Sequence, residues 1–200
     1  MERVFIVTGA IASGKTFLLS KMRKFGFLTL NVDKIAKSIL ANNIIIQKKI
    51  IEQFPIYKDS LGGFDIYKFI INASSAALCF VEELIHPIVR AECNNLVRNV
   101  RKQSKRPIAL EIPLFIESLT KGKICYLYEK VIVTHSRFDI REKRAMLREH
   151  MTKEKFDAIT SRQTTDDMRF MYADYIVCCE NDYSINSFLR ELIERNSFRY

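Results

Sequence analysis

Short apolar runs recur along the chain and alternate with segments whose apolar residues fall at helical spacing. Residues 3–8 (RVFIVT) are apolar and β-branched, which predicts a buried strand. Residues 14–25 place Phe17, Leu18, Met22 and Phe25 on one side of a helix, and Gly26 stops it. Residues 27–31 form a second short strand. Strand, helix, strand in that order predicts a parallel βαβ unit. Residues 33–41, 44–54 and 66–72 read as helices, with a turn at 59–63 (DSLGG). Residues 76–102 predict one long helix or two. Pro87 has no N–H for the helix ladder, so a kink or a fresh start is expected there. Residues 108–112, 130–134 (KVIVT) and 175–178 (YIVC) complete the set of strands. A charged helical stretch is expected over 136–171 and an amphipathic helix over 184–195.

The sum is an α/β fold: a five-stranded parallel sheet flanked by helices, within a single domain over residues 1–200. Its core is expected at about 1–40, 105–135 and 172–200, with helical regions at about 41–104 and 136–171. A chain of 200 residues buries a core without disulfide staples. Cys79, Cys93, Cys125, Cys178 and Cys179 form no CxxC pair and are expected to be free thiols, neither a disulfide framework nor a zinc site. No apolar run is long enough for a membrane span, and the N-terminal run stops at Thr8-Gly9 without a cleavage-type segment. A cytoplasmic protein with no membrane partner is therefore expected. The net charge of +9 points to an anionic ligand without saying which one.

The strongest chemical signal is Gly9-Ala10-Ile11-Ala12-Ser13-Gly14-Lys15-Thr16, which fits the P-loop pattern GxxxxGK[ST] between a strand and a helix. Glycines let backbone N–H groups approach a phosphate, and the helix that follows offers unpaired N–H groups and its positive end. Gly9, Ala12, Ser13, Gly14, Lys15, Thr16 and Phe17 are thus expected to hold ATP. Lys15 supplies charge to the β- and γ-phosphates, and Thr16 offers its hydroxyl to Mg²⁺. A glycine in place of Ala12 would give this loop more freedom.

Asp33 follows the second strand, at the edge of a parallel sheet where ligands bind. It either accepts the proton of an attacking hydroxyl or caps the next helix. Glu111, at the end of the third strand, either serves the metal as Walker B acids do or is a solvated strand end. Arg137, Arg141, Arg144 and Arg148 share a helical face that is either a solvated basic surface or part of a hinged lid. Arg144 and Arg148 are the expected catalytic cations and Arg169 a further contact to the nucleotide. His86, beside Pro87, is either a packed core residue or a ligand contact.

Taken together, these segments resemble the dephospho-coenzyme A kinase family. Beyond the P-loop, residues 31–36 (NVDKIA), 81–87 (VEELIHP), 111–117 (EIPLFIE) and 173–177 (ADYIV), with Gln163 and Arg169, follow its motifs in order along nearly the whole chain. The resemblance implies ATP-dependent phosphorylation of the 3′-hydroxyl of dephospho-coenzyme A, with a core, a helical substrate-binding region at 41–104 and a lid at 136–171. It favours Asp33 as the base. It places His86, Pro113, Leu114 and Glu117 on the acceptor side. Departures are Asn31 for the first acid of D-x-D, Ala10 and Ala12 for loop glycines, residues 65–67 (DIY) where an arginine is usual, His135 for an acid, and 178–181 (CCEN) for a late N-x-G.

Two other readings stand beside this one. Another small-molecule P-loop kinase, such as a nucleoside monophosphate kinase, would carry different acceptor-site signatures. A basic nucleic-acid binder would fit the charge, but no RRM, KH or zinc pattern accompanies it. A monomer acting on a small molecule, and not on nucleic acid, is expected.

Overall fold

The computed structural model describes residues 3–120, 122 and 126–196, so Cys125 lies outside the described residues. The chain divides into two compact units, one of residues 1–31 with 97–200 and one of residues 32–96. The helical unit thus spans 32–96 where about 41–104 is expected.

The first unit is built on a parallel sheet of β1 (Val4–Gly9), β2 (Leu28–Asn31), β3 (Ile108–Glu111), β4 (Lys130–His135) and β5 (Tyr175–Cys178), in the order β2-β3-β1-β4-β5. Every residue of β1 is buried, as expected of a central parallel strand covered on both faces. In register, Val7 lies beside Glu111 and Gly9 beside Thr134, while Asn31 lies beside Glu111 from the other side. Because β3 and β4 flank β1, the sheet order reverses at β1. A crevice opens at its carboxyl end, where ligands of such sheets bind.

Helix α1 (Lys15–Lys24) and helix α10 (Asp182–Asn196) bring Leu18, Leu19, Met22, Ile185, Leu189 and Leu192 into one buried cluster with Phe5, Val7 and Ile132 of the sheet. Phe17 departs from the expected apolar stripe and stands 42% exposed. Asp174 fastens the start of β4: its Oδ2 accepts from Val131 N at 2.8 Å and its Oδ1 from Lys130 Nζ at 2.9 Å.

The charged helical stretch expected over 136–171 consists of three helices, α7 (Phe138–Met146), α8 (Lys153–Arg162) and α9 (Asp166–Met171). Threonines begin the last two. Thr152 accepts from Lys155 N and Thr165 from Met168 N, each at 3.3 Å, and each satisfies a helix-start amide that would otherwise lack a partner. Helix α6 (Phe115–Leu119) follows Pro113.

The second unit holds α2 (Val32–Asn42), α3 (Ile44–Gln53), α4 (Ile66–Asn72) and most of α5 (Ser75–Gln103). Helix α5 passes through Pro87 as one continuous helix, so the fresh start does not occur. Ala77, Val81, Ile85, Val89, Cys93 and Val97 form a buried stripe at a spacing of four, and this packing outweighs the ladder bond that proline cannot make. Asp59 Oδ1 closes the expected turn by accepting from Leu61 N and Gly63 N, both at 2.8 Å. Among the described residues no helix is long and apolar enough to cross a membrane.

The four described cysteines are free, with Cys79 and Cys178 exposed and Cys93 and Cys179 buried. Burial pushes the Cys93 thiol up to about 11 and the Cys179 thiol up to about 12, which suppresses the nucleophilic thiolate at both. Iodoacetamide at pH 8, followed by peptide mass spectrometry, should label Cys79 and Cys178 in the folded protein and reach Cys93 and Cys179 only in denaturant. Labelling of Cys179 as fast as Cys178 would contradict its burial.

Candidate nucleotide site

The loop leaving β1 turns back into α1 through three residues at positive φ: Gly9 at 149°, Ala12 at 58° and Gly14 at 101°. Two of these demand glycine. A β-carbon at Gly9 would lie 2.4 Å from Thr134 Oγ1, and one at Gly14 would lie 2.5 Å from Cys179 Cβ. Ala12 holds the left-handed conformation without that freedom, at a cost of about 1–2 kcal/mol.

Hydroxyl groups hold the loop from beneath. Thr134 Oγ1 donates to Thr8 O at 3.1 Å, so the 2.6 Å contact with Ser13 Oγ has Ser13 as donor. The Ser13 side chain therefore faces the sheet. No side chain caps the start of α1, whose leading N–H groups point into the loop. Lys15 Nζ spans the loop and donates to Gly9 O and Ala10 O, both at 2.8 Å.

A cavity of about 250 Å³ lies above these amides, lined by Ala12, Ser13, Gly14, Lys15, Thr16, Phe17, Arg144 and Arg148. The expected loop residues and both expected catalytic arginines thus share one concavity, except that Gly9 shapes the loop from below. Arg144 is firmly held. It donates to Ser136 Oγ at 3.0 Å and to Cys179 O at 2.8 Å, and Ser136 Oγ donates in turn to Ser13 O at 3.2 Å. Arg148 lies beyond the end of α7 and Arg137 before its start, so neither extends the expected helical face; both are exposed, Arg148 at the mouth of the cavity. Arg141 on that face is instead buried, and burial lowers its guanidinium pKa, with Asp166 acting to raise it and Arg169 to lower it.

Glu111 is no solvated strand end: it is buried and held by two donors. Thr16 Oγ1 donates to its Oε1 at 3.3 Å and Asn31 Nδ2 to its Oε2 at 2.5 Å. A hydroxyl and a carboxylate side by side at the loop form the oxygen-rich, sparse donor set that suits Mg²⁺, which keeps waters and takes further oxygens from phosphates. Among the described residues no cluster of three or more His, Cys, Asp or Glu could hold a metal by itself.

Other expected residues sit elsewhere. Arg169 does not line the cavity. Its buried guanidinium donates to Asp166 Oδ1 at 2.7 Å and lies 3.7 Å from Glu117 Oε1. Glu117 Oε1 accepts from Thr164 N at 2.9 Å and from Thr164 Oγ1 at 3.0 Å. Pro113 O accepts from Thr8 Oγ1 at 3.1 Å, and Leu114 is exposed beside it. His135 faces Asp166 Oδ2 across 3.4 Å. Asp33 and His86 belong to the helical unit. Asp33 lies exposed in the first turn of α2, two residues beyond Asn31, and exposed His86 on α5 is not the packed core histidine. Thr134, Ser136 and the contact of Gln163 Oε1 with Ile11 N at 2.9 Å are functional features that the sequence alone does not single out. Only the position of the first two at the carboxyl end of a strand hints at their role.

Gly14→Ala should destabilise the fold by about 1–3 kcal/mol, through the Cys179 contact and the positive φ. Urea denaturation measures this, and an unchanged midpoint would show that the loop accommodates a β-carbon there.

The family model described as dephospho-CoA kinase matches residues 3–186. A dephospho-CoA kinase of Hydrogenovibrio crunogenus is 30% identical over 181 residues, covering 89% of each chain. The solved dephospho-CoA kinase of Campylobacter jejuni superposes with a TM-score of 0.68 at 27% identity, covering 98% of each chain. A solved chain from Thermus thermophilus shares the fold, with a TM-score of 0.78 at 19% identity over 99% of each chain. Matched to the family model from the first strand into the last helix, the chain belongs to the dephospho-CoA kinase family.

Proposed function

We propose that this chain transfers the γ-phosphoryl group of ATP to the 3′-hydroxyl of dephospho-CoA, giving CoA and ADP. The observation that carries the reading is the cavity in which the uncapped start of α1, Lys15, Arg144 and Arg148 converge. Phosphoryl transfer asks little covalent chemistry of a protein and much positioning and charge. Backbone amides at 14–16 take phosphate oxygens, and Lys15 exchanges its loop carbonyls for the β- and γ-phosphates. Arg144, fixed by Ser136 and Cys179, presents a stationary cation, while exposed Arg148 adds a second at the cavity mouth.

Thr16 and Glu111 would hold Mg²⁺, which when bound draws charge from the phosphate oxygens. Asp33 is the proposed base. It accepts the proton of the 3′-hydroxyl as that oxygen bonds to the γ-phosphorus, and the bond from that phosphorus to the bridging oxygen of ADP breaks. His86, Pro113 and Leu114 are offered to the acceptor from exposed or half-buried positions. The Glu117 carboxylate is engaged with Thr164 and Arg169, so its part is to hold the 113–117 segment. Arg169 supports the nucleotide side from behind, through Asp166 and Glu117. Residues 136–171 act as the lid, the helical unit serves the acceptor, and one chain supplies every residue named.

A coupled ADP-release assay should show turnover with dephospho-CoA and none with nucleoside monophosphates. The opposite pattern would replace this reading with another kinase of the same fold. Asp33→Asn should lower kcat by about 10²–10⁴-fold with ATP affinity unchanged. Near-normal turnover of that variant would remove Asp33 as the base. Glu111→Gln should raise the Mg²⁺ concentration needed for half-maximal activity, and an unchanged Mg²⁺ titration would free Glu111 of that role.

A further inference from the structure

The turn at the apex of the nucleotide loop is closed by Ser13 N donating to Ala10 O at 3.2 Å. Its third residue, Ala12, sits at φ 58°, where glycine or asparagine is the usual occupant. A turn strained at that position relaxes unless its surroundings fix it. Two contacts fix it from the helical segment after β4. The Ile11 and Ala12 side chains pack with Ala145 of α7 and Phe156 of α8. The Ile11 N–H, pointing away from the cavity lining, donates to Gln163 Oε1 at 2.9 Å.

Gln163 is itself held in place. It is the residue that ends α8, and its own N–H donates to Thr160 O at 3.1 Å. The next residue, Thr164, is pinned through both N and Oγ1 to Glu117 Oε1. The Gln163 amide therefore projects from a backbone fixed on both sides and meets the N–H of the residue before the strained alanine.

We propose that Gln163 is a positioning residue for ATP, with Glu117 as its anchor. Its side-chain oxygen keeps the turn in the shape that aims the following amides into the cavity. This inference rests on the nucleotide site proposed above and adds a residue that touches neither substrate. Releasing Ile11 N–H lets the turn around Ala12 relax. The cost then falls on ATP binding and leaves the acceptor untouched.

Gln163→Leu removes the acceptor at similar volume, and Gln163→Glu retains an oxygen for Ile11 N–H. Equilibrium ATP binding by calorimetry needs no acceptor substrate, so it reads this inference separately from the identity of the acceptor. The leucine variant should bind ATP about tenfold more weakly, with the KM for dephospho-CoA and the melting temperature unchanged. The glutamate variant should stay within about threefold of the parent. Amide exchange should show Ile11 protected in the parent and exposed in the leucine variant, with the amides of α1 unaffected. Gln163→Met replaces the leucine variant if that one does not fold. An ATP affinity within twofold of the parent would overturn the proposal. So would a loss that glutamate does not restore, because that pattern marks packing and not the hydrogen bond. A parent protein that binds no ATP would instead sink the nucleotide site itself.

Discussion

Bare amides aimed at an anion cannot hold themselves in place. A loop that leaves its N–H groups for a phosphate gives up the hydrogen bonds that would otherwise fix its shape. In this chain the one turn bond from Ser13 N to Ala10 O is reinforced from outside the loop. Thr134 and Ser13 tie it to the sheet, and Ser136 and Gln163 tie it to the segment after β4. The parallel register makes this possible by setting Gly9 beside Thr134, so that the hydroxyls at the end of β4 lie under the loop. The sheet is thus more than a platform, since its strand ends supply the constraints that the loop lacks.

The same logic governs the carboxylate edge. Glu111 lies buried between Thr16 on one side and Asn31 on the other. Family members that carry an acid in place of Asn31 would set two carboxylates side by side there. The asparagine amide donates where a carboxylate would repel, so this departure from the family pattern suits Glu111. The change also leaves Asp33 as the acid of that segment, at the start of α2, where the helix dipole favours its negative charge.

β1 and β4 were legible because central parallel strands are buried β-branched runs, and 175–178 falls where it is expected although only Val177 of it is buried. The P-loop was legible because its glycines answer to steric demands that other residues cannot meet. Helix boundaries inside 136–171 were not legible from charge periodicity. They depend on Thr152 and Thr165, whose capping role shows only once their side chains meet the backbone. Pro87 left one helix or two open, and the buried stripe that continues past it makes one. Within the arginine face, spacing alone could not separate Arg144, which lines the cavity, from Arg141, which is buried. The function of Gln163 was likewise hidden, because nothing in the order of residues reveals that the end of α8 meets Ile11.

The near-contact of Gly14 with Cys179 gives the loop a partner on the far side of the sequence. Space at that point admits one β-carbon, and Cys179 already has it. Clearing that space would still leave position 14 at a φ of 101°, where a side chain is strained, so the glycine is demanded twice, by its own backbone and by the segment after β5.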